Sequence, residues 1–316
     1  MSAAEPPAAP VAAPPKPLRV VGVSLGSATR DHRIELAVGG RTIIAERIGV
    51  ETLPAFRRTL LELDGKVDVI GIGGANLALV VGRRRYPIRD VTHLVEGIRT
   101  PLVDGSGLKS LLEKQLILDI LPRKYGFDVR GRRVLLVSSV DRYGMAEAFT
   151  QAGADVRFGD FMFGLGLPLL LRGLTTVHVL AALLLPVMTR LPFTWLYPTG
   201  SKQEQITPRF GWAYRWAEVL AGDFHFIRRY MPEDLSGRIV FTNTLTAQDV
   251  EALRARGVRM IVTPSPNLEG RSFGTNVVQA ILVAASGRPP ETLTPQDYLR
   301  LMALVGFRPR VEVLNP

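Results

Sequence analysis

The chain of 316 residues has no cysteine. That excludes disulfides, thiolate metal sites and a cysteine nucleophile together. Aromatic residues make up only 7% of the sequence, and neither an RNA-binding aromatic signature nor a zinc-finger spacing is present. Negative charge is also short: Asp and Glu number 29 against 39 Lys and Arg, for a formal net charge of +10. The excess falls in short clusters (Arg83 to Arg85, Arg130 with Arg132 and Arg133, Arg228 with Arg229) and not in a Lys-rich tail. Such scattered charge reads as a solvated surface, so no nucleic-acid partner is expected, but it favours a small anionic substrate or cofactor. No charged n-region followed by an apolar stretch opens the chain. Residues 1–17 are rich in Ala and Pro and read as a disordered leader, nothing points to secretion, and a cytoplasmic protein is expected.

What is present is a hydrophobic content of 47%, enough for a substantial core, and one ordered pattern. An apolar run, Val134 to Val137, ends in a small polar turn. A helix from about Arg142 to Ala152 follows, Gly153 stops it, and a short strand from Asp155 to Phe158 ends at Gly159-Asp160. Strand, turn, helix and strand within about thirty residues form a βαβ unit of a parallel sheet, the way a dinucleotide-binding domain begins. The turn Ser138-Ser139-Val140-Asp141-Arg142-Tyr143-Gly144 keeps only the last glycine of the fingerprint spacing. Ser138, Ser139, Arg142 and Gly144 are therefore the candidate cofactor-binding residues for NAD or NADP, with Asp160 placed for the ribose. Asp141 sits where phosphate charge is expected, and a plain crossover helix N-capped by Asp141 is the other reading.

Upstream, residues 18–128 carry strand patterns, a hairpin at Gly39-Gly40, a second at Gly82 to Arg84, and helices near Leu53 to Leu63 and after Ser106-Gly107. This region is expected to be an α+β domain. Its turn Asp104-Gly105-Ser106-Gly107-Leu108-Lys109 can hold an anion at a helix N-terminus, with Lys109 supplying charge or a proton, or can be a plain capped connection. Downstream, residues 129–316 are expected to form a Rossmann-like, doubly wound parallel sheet interrupted by an apolar insertion, 161–198. Between Arg172 and Arg190 that insertion has 17 uncharged residues, at the lower limit for a bilayer span. Burial against the sheet or a partner subunit, the second of which would make a homo-oligomer, is favoured over an interfacial helix with Trp195 and Tyr197 at a membrane. His178 within it reads as a satisfied core or interface histidine and not as a ligand. Strands near Ala217 to Ala221, Arg238 to Phe241 and Val258 to Val262, and a capping box at Thr246 to Asp249, complete the pattern.

The strings VDRYGMAEAF, LPFTWLYPTG, AGDFHFIRRYMPEDL, TNT and EGRSFGTNV resemble bacterial proteins named quinate 5-dehydrogenases, over nearly all of the chain after residue 18. The resemblance implies NAD(P)-dependent oxidation of a cyclic hydroxy acid such as quinate or shikimate. The Asn-Val-Thr-x-Pro-x-Lys motif of shikimate dehydrogenases proper is not found, so Lys109 is singled out by its own turn alone. At the strand ends of the second domain, His225, Asp223 and Asn243 are the catalytic candidates, with His225 as the proton-transfer group. Arg228, Arg271, Asn276 and Lys109 are the candidates for holding an anionic substrate. A non-catalytic nucleotide- or metabolite-binding module and a peripheral membrane protein are the alternatives.

Overall fold

The computed structural model describes residues 16–28, 31–193, 206–268, 271–272 and 274–316. Residues 1–15, and Trp195 and Tyr197 with them, lie outside these. The first region contains β1 (Leu18–Leu25), β2 (His32–Val38), β3 (Arg41–Val50), α1 (Leu53–Leu63), β4 (Val69–Gly73), β5 (Ala78–Val81), β6 (Arg84–Pro87), α2 (Arg89–Val95), β7 (Leu102–Val103), α3 (Ser106–Gln115), a π-helical turn (Leu116–Ile120) and α4 (Leu121–Tyr125). Its five-stranded sheet runs β2-β3-β1-β4-β7. The Gly39-Gly40 hairpin joins β2 to β3 as expected, but β3, β4 and β7 all run parallel to β1 or to one another. The expected α+β domain is thus a mainly parallel α/β sheet. The alternation within each strand reports one strand at a time and is silent on the direction of its neighbour.

The second region contains β8 (Arg133–Leu136), α5 (Tyr143–Gln151), β9 (Asp155–Phe158), a π-helical turn (Asp160–Gly164), α6 (Leu174–Met188), α7 (Gly211–Trp216), β10 (Val219–Gly222), α8 (Phe224–Tyr230), β11 (Ile239–Thr242), α9 (Ala247–Ala255), β12 (Met260–Thr263), the two-stranded ribbon β13 (Asn267–Leu268) with β14 (Arg271–Ser272), α10 (Thr275–Ser286), α11 (Pro295–Val305) and β15 (Arg310–Val313). The sheet order is β15-β12-β11-β10-β8-β9, parallel except for β15. In chain order the parallel strands read 2-1-3-4-5, so the order reverses between β8 and β10. The strand ends at such a reversal leave a crevice in which open α/β sheets bind ligands.

The last apolar helix does not stay with this second sheet. In α10 the nine residues Asn276 to Ala284 are buried, and they pack with Val20, Ile43 and Val69 of the first sheet and with Tyr298 and Met302 of α11. The approach is so close that a Cβ on Gly22 would lie 2.4 Å from Val277 Cγ2. Residues 129–316 therefore do not fold as one self-contained domain. Their α10 and α11 build the far core of the first sheet before β15 returns to the second.

Candidate functional site

The C-terminal strand ends of both sheets open onto one cleft of about 640 Å³. One wall is the end of β1, the turn after β4 (Gly73 to Asn76), Asp104 and Lys109. The other is Asp141, Arg142, Asp223, His225, Arg228 and Asn243, and the first turn of α10 closes an end.

Two groups from the first region meet a carboxylate of the second across this cleft. Lys109 Nζ donates to Asp141 Oδ1 at 3.0 Å, and Asn76 Nδ2 donates to the same oxygen at 2.5 Å. Lys109 and Asp141 are nearly buried, at 14% and 13% side-chain exposure, so solvent screens the pair weakly. Asp141 is not the N-cap of α5. Arg142 occupies that position without a side-chain cap bond, because the Asp141 carboxylate is turned to Lys109 and Asn76.

Behind the pair lies a buried ion cluster. Arg142 donates to Glu113 Oε1 at 2.9 Å and to Asp223 Oδ2 at 3.1 Å. Burial opposes the Arg142 charge, but Glu113, Asp141 and Asp223 around it raise its pKa above the ordinary guanidinium value. Burial also pushes the Glu113 carboxyl up, against the pull of Arg142. For Asp223 burial would raise the pKa, yet His225, Arg142 and the His225 backbone N–H together hold it down at about 2. Asp223 owes that bond to its place as N-cap of α8, where it accepts from His225 N at 3.0 Å. Asn243 Nδ2 donates to Asp223 Oδ2 at 2.9 Å, and Asn243 Oδ1 accepts from Phe224 N at 3.3 Å.

The predicted residues thus divide. Asp223, Asn243, His225 and Lys109 share the cleft. Arg228 reaches it while pairing with Asp249 at 3.3 Å. Asn276 lies in the cleft wall, 7% exposed, with its Nδ2 unpartnered. The side chain of Arg271 is outside the described residues.

The proposed cofactor set is placed differently. Ser139 is fully buried and its hydroxyl bonds to Asp160, which also accepts from Val140 N at 3.0 Å. Burial raises the Asp160 carboxyl and the Ser139 bond opposes that rise. Asp160 therefore ties the turn to its own strand end. Ser138 Oγ accepts from Asp223 N at 3.3 Å, and Arg142 N donates to Ser138 O at 2.9 Å. At Gly144 the space a side chain would need belongs to α3, with Ser110 Cα 2.7 Å from a Cβ there. The Ser139 hydroxyl, the Val140 and Arg142 N–H groups and Gly144 serve internal contacts, so the fingerprint mode of holding a pyrophosphate does not fit here. Only Arg142 of this set faces the cleft.

Sequence reasoning passed over Asn76, Glu113 and the role of Asp141 as a partner for Lys109. The signal for the last was visible as a carboxylate standing where a phosphate-binding turn has none. The chain belongs to the DUF8754 family. That family, described as a domain of unknown function, matches residues 107–314, and a second, DUF8753, also described as a domain of unknown function, matches residues 19–104. The two matched regions meet at the turn before α3, which carries Lys109. No curated protein matches the chain. Among solved structures, it is similar to a hetero-hexameric glutamate dehydrogenase from Thermus thermophilus at 14% identity and a TM-score of 0.43, over 92% of this chain and 74% of that one. It is also similar to a galactofuranose binding protein at 13% identity and a TM-score of 0.36, over 94% and 95%. A putative malic enzyme aligns at 13% identity and a TM-score of 0.36, over 92% and 85%. Likenesses this distant do not bear on function.

Proposed function

We propose that the cleft binds a small hydroxylated carboxylate, quinate- or shikimate-like, and that Lys109 with Asp141 moves the proton of its reacting hydroxyl in an NAD(P)-dependent oxidation. The observation that carries the reading is the convergence of Lys109 and Asn76 on one oxygen of Asp141 at the strand-order reversal of the second sheet. A hydroxyl set against Lys109 Nζ is one hydrogen bond from Asp141. As the hydroxyl oxygen releases its proton to the lysine nitrogen, that nitrogen passes one of its own to the carboxylate. Asn76 fixes the carboxylate so that the relay does not depend on a mobile side chain. Arg142 is neutralised by Glu113 and Asp223 and supports Asp141 from behind; substrate carboxylate falls to Arg228 and Asn276. The oxidoreductase class and the hydride acceptor rest on the family resemblance.

A second reading, a binding module without catalysis, is favoured by the turn at 138–144, where the Val140 and Arg142 N–H groups and the Ser139 hydroxyl are spent on the protein itself. Calorimetry with quinate, shikimate, NAD(H) and NADP(H), followed by a spectrophotometric assay, separates the two. The first reading expects turnover, with Lys109→Met lowering kcat about a hundredfold or more while the hydroxy acid still binds. Heat with a hydroxy acid but none with either cofactor and no turnover hands the site to the second reading. No heat with any of them sinks both.

A further inference from the structure

The insertion that supplies α6 gives the molecule a surface its folding does not use. Val177, Ala181 and Leu185, spaced by four, form the buried face. They anchor α6 across both regions, with His178 Nε2 2.6 Å from Tyr143 Oη of α5 and Thr189 O accepting from Arg89 N of α2 at 3.0 Å. Two residues further on in each turn, Val179, Leu183 and Val187 repeat the same spacing on the opposite face, and are 53%, 67% and 64% exposed. A surface helix in water normally presents charge there. Leu165, Leu167 and Leu169, just before the helix, are also about half exposed.

Within this segment the charge has one sign. No Asp or Glu occurs between Phe161 and Phe193, exposed Arg172 and Arg190 bracket the helix, and the exposed Arg83 to Arg85 of the β5–β6 hairpin stand beside it. The hairpin is placed by Gly82, where an added Cβ would lie 2.6 Å from His178 Nε2. A second copy pairing face to face would bring like charges together. No described helix is long and apolar enough to cross a membrane. We propose that the outer face of α6, with its bracketing arginines, docks on an anionic phospholipid surface, the leucine and valine side chains entering the interface and the arginines meeting the headgroups.

Flotation of the full chain with vesicles of phosphatidylcholine alone, and of phosphatidylcholine mixed with phosphatidylglycerol, tests this. Binding is expected only to the anionic vesicles and should fade as salt rises. Leu183→Glu with Val187→Glu should abolish it at an unchanged melting temperature, because both sites are solvent-facing. Arg172→Gln and Arg190→Gln should each weaken it roughly fivefold. Binding to neither vesicle, binding to both alike and without salt dependence, or binding that survives the double substitution overturns the proposal. So does a dimer in sedimentation velocity that the same double substitution dissolves, which would assign the face to a second copy.

Discussion

Asp223 shows how one side chain can serve two elements and one charge. It caps α8, it anchors the amide of Asn243, and it balances Arg142. Its folded pKa of about 2 lies below the ordinary 3.8. A carboxyl depressed in the folded state contributes stability above its ordinary pKa and loses it as pH falls through the folded value. The window is therefore about pH 4 down to pH 2, and the contribution is about 2 kcal/mol. Denaturant midpoints measured across that window should fall steeply in the native chain. In Asp223→Asn the midpoint should be lower at neutral pH, because Arg142 loses a counter-charge, and the acid limb should flatten. An unchanged acid limb would show that Asp223 is not held by charge. Glu113 works in the opposite sense, since a raised carboxyl is more comfortable protonated, so its contribution declines as pH rises.

At the scale of elements, α3 and α5 form the joint between the two sheets, and Gly144 is where they touch. An added methyl there meets the Ser110 Cα at 2.7 Å and Glu113 Oε2 at 2.9 Å. Backbone cannot yield as a flexible side chain does, so the helices must separate. Gly144→Ala is expected to cost about 1–3 kcal/mol by overpacking and to displace Glu113 from Arg142. Chemical denaturation reads the cost directly. Native stability in this variant would mean that the two helices are not in contact. The turn that in a dinucleotide domain admits a phosphate here admits a helix instead. The capping boxes of α9 and α11, Thr246 with Asp249 and Thr294 with Asp297, are local by comparison and need no such partner.

The whole molecule is two sheets stitched twice. α6 lies over both regions, and α10 with α11 leaves the second sheet to complete the first. Residues 18–128 alone lack that covering, so one face of their sheet, including Val20, Ile43 and Val69, would stand in water. A fragment of residues 18–128 is therefore expected to be molten or to aggregate, with poorly dispersed amide resonances. A well-dispersed spectrum would show that α10 is an accessory to the first sheet and not part of its core.

What the sequence determined by itself is what nearest neighbours decide. The βαβ unit at residues 133–158, the Gly39-Gly40 hairpin and the Thr246 capping box all follow from periodicity, turn residues and caps, whose physics spans a few residues. The cleft residues Asp223, His225, Asn243 and Lys109 were legible as strand-end or helix-start polar groups. Their partners were not. That Asn76 and Lys109 converge on Asp141, that Asp160 closes on Ser139, and that Gly144 admits α3 depend on contacts between residues far apart in the chain. The strand order 2-1-3-4-5 and the return of α10 to the first sheet were decided in the same way. An apolar helix must be buried, but its own sequence cannot say under which sheet, because hydrophobic burial is non-directional and only the assembled surfaces choose where it occurs.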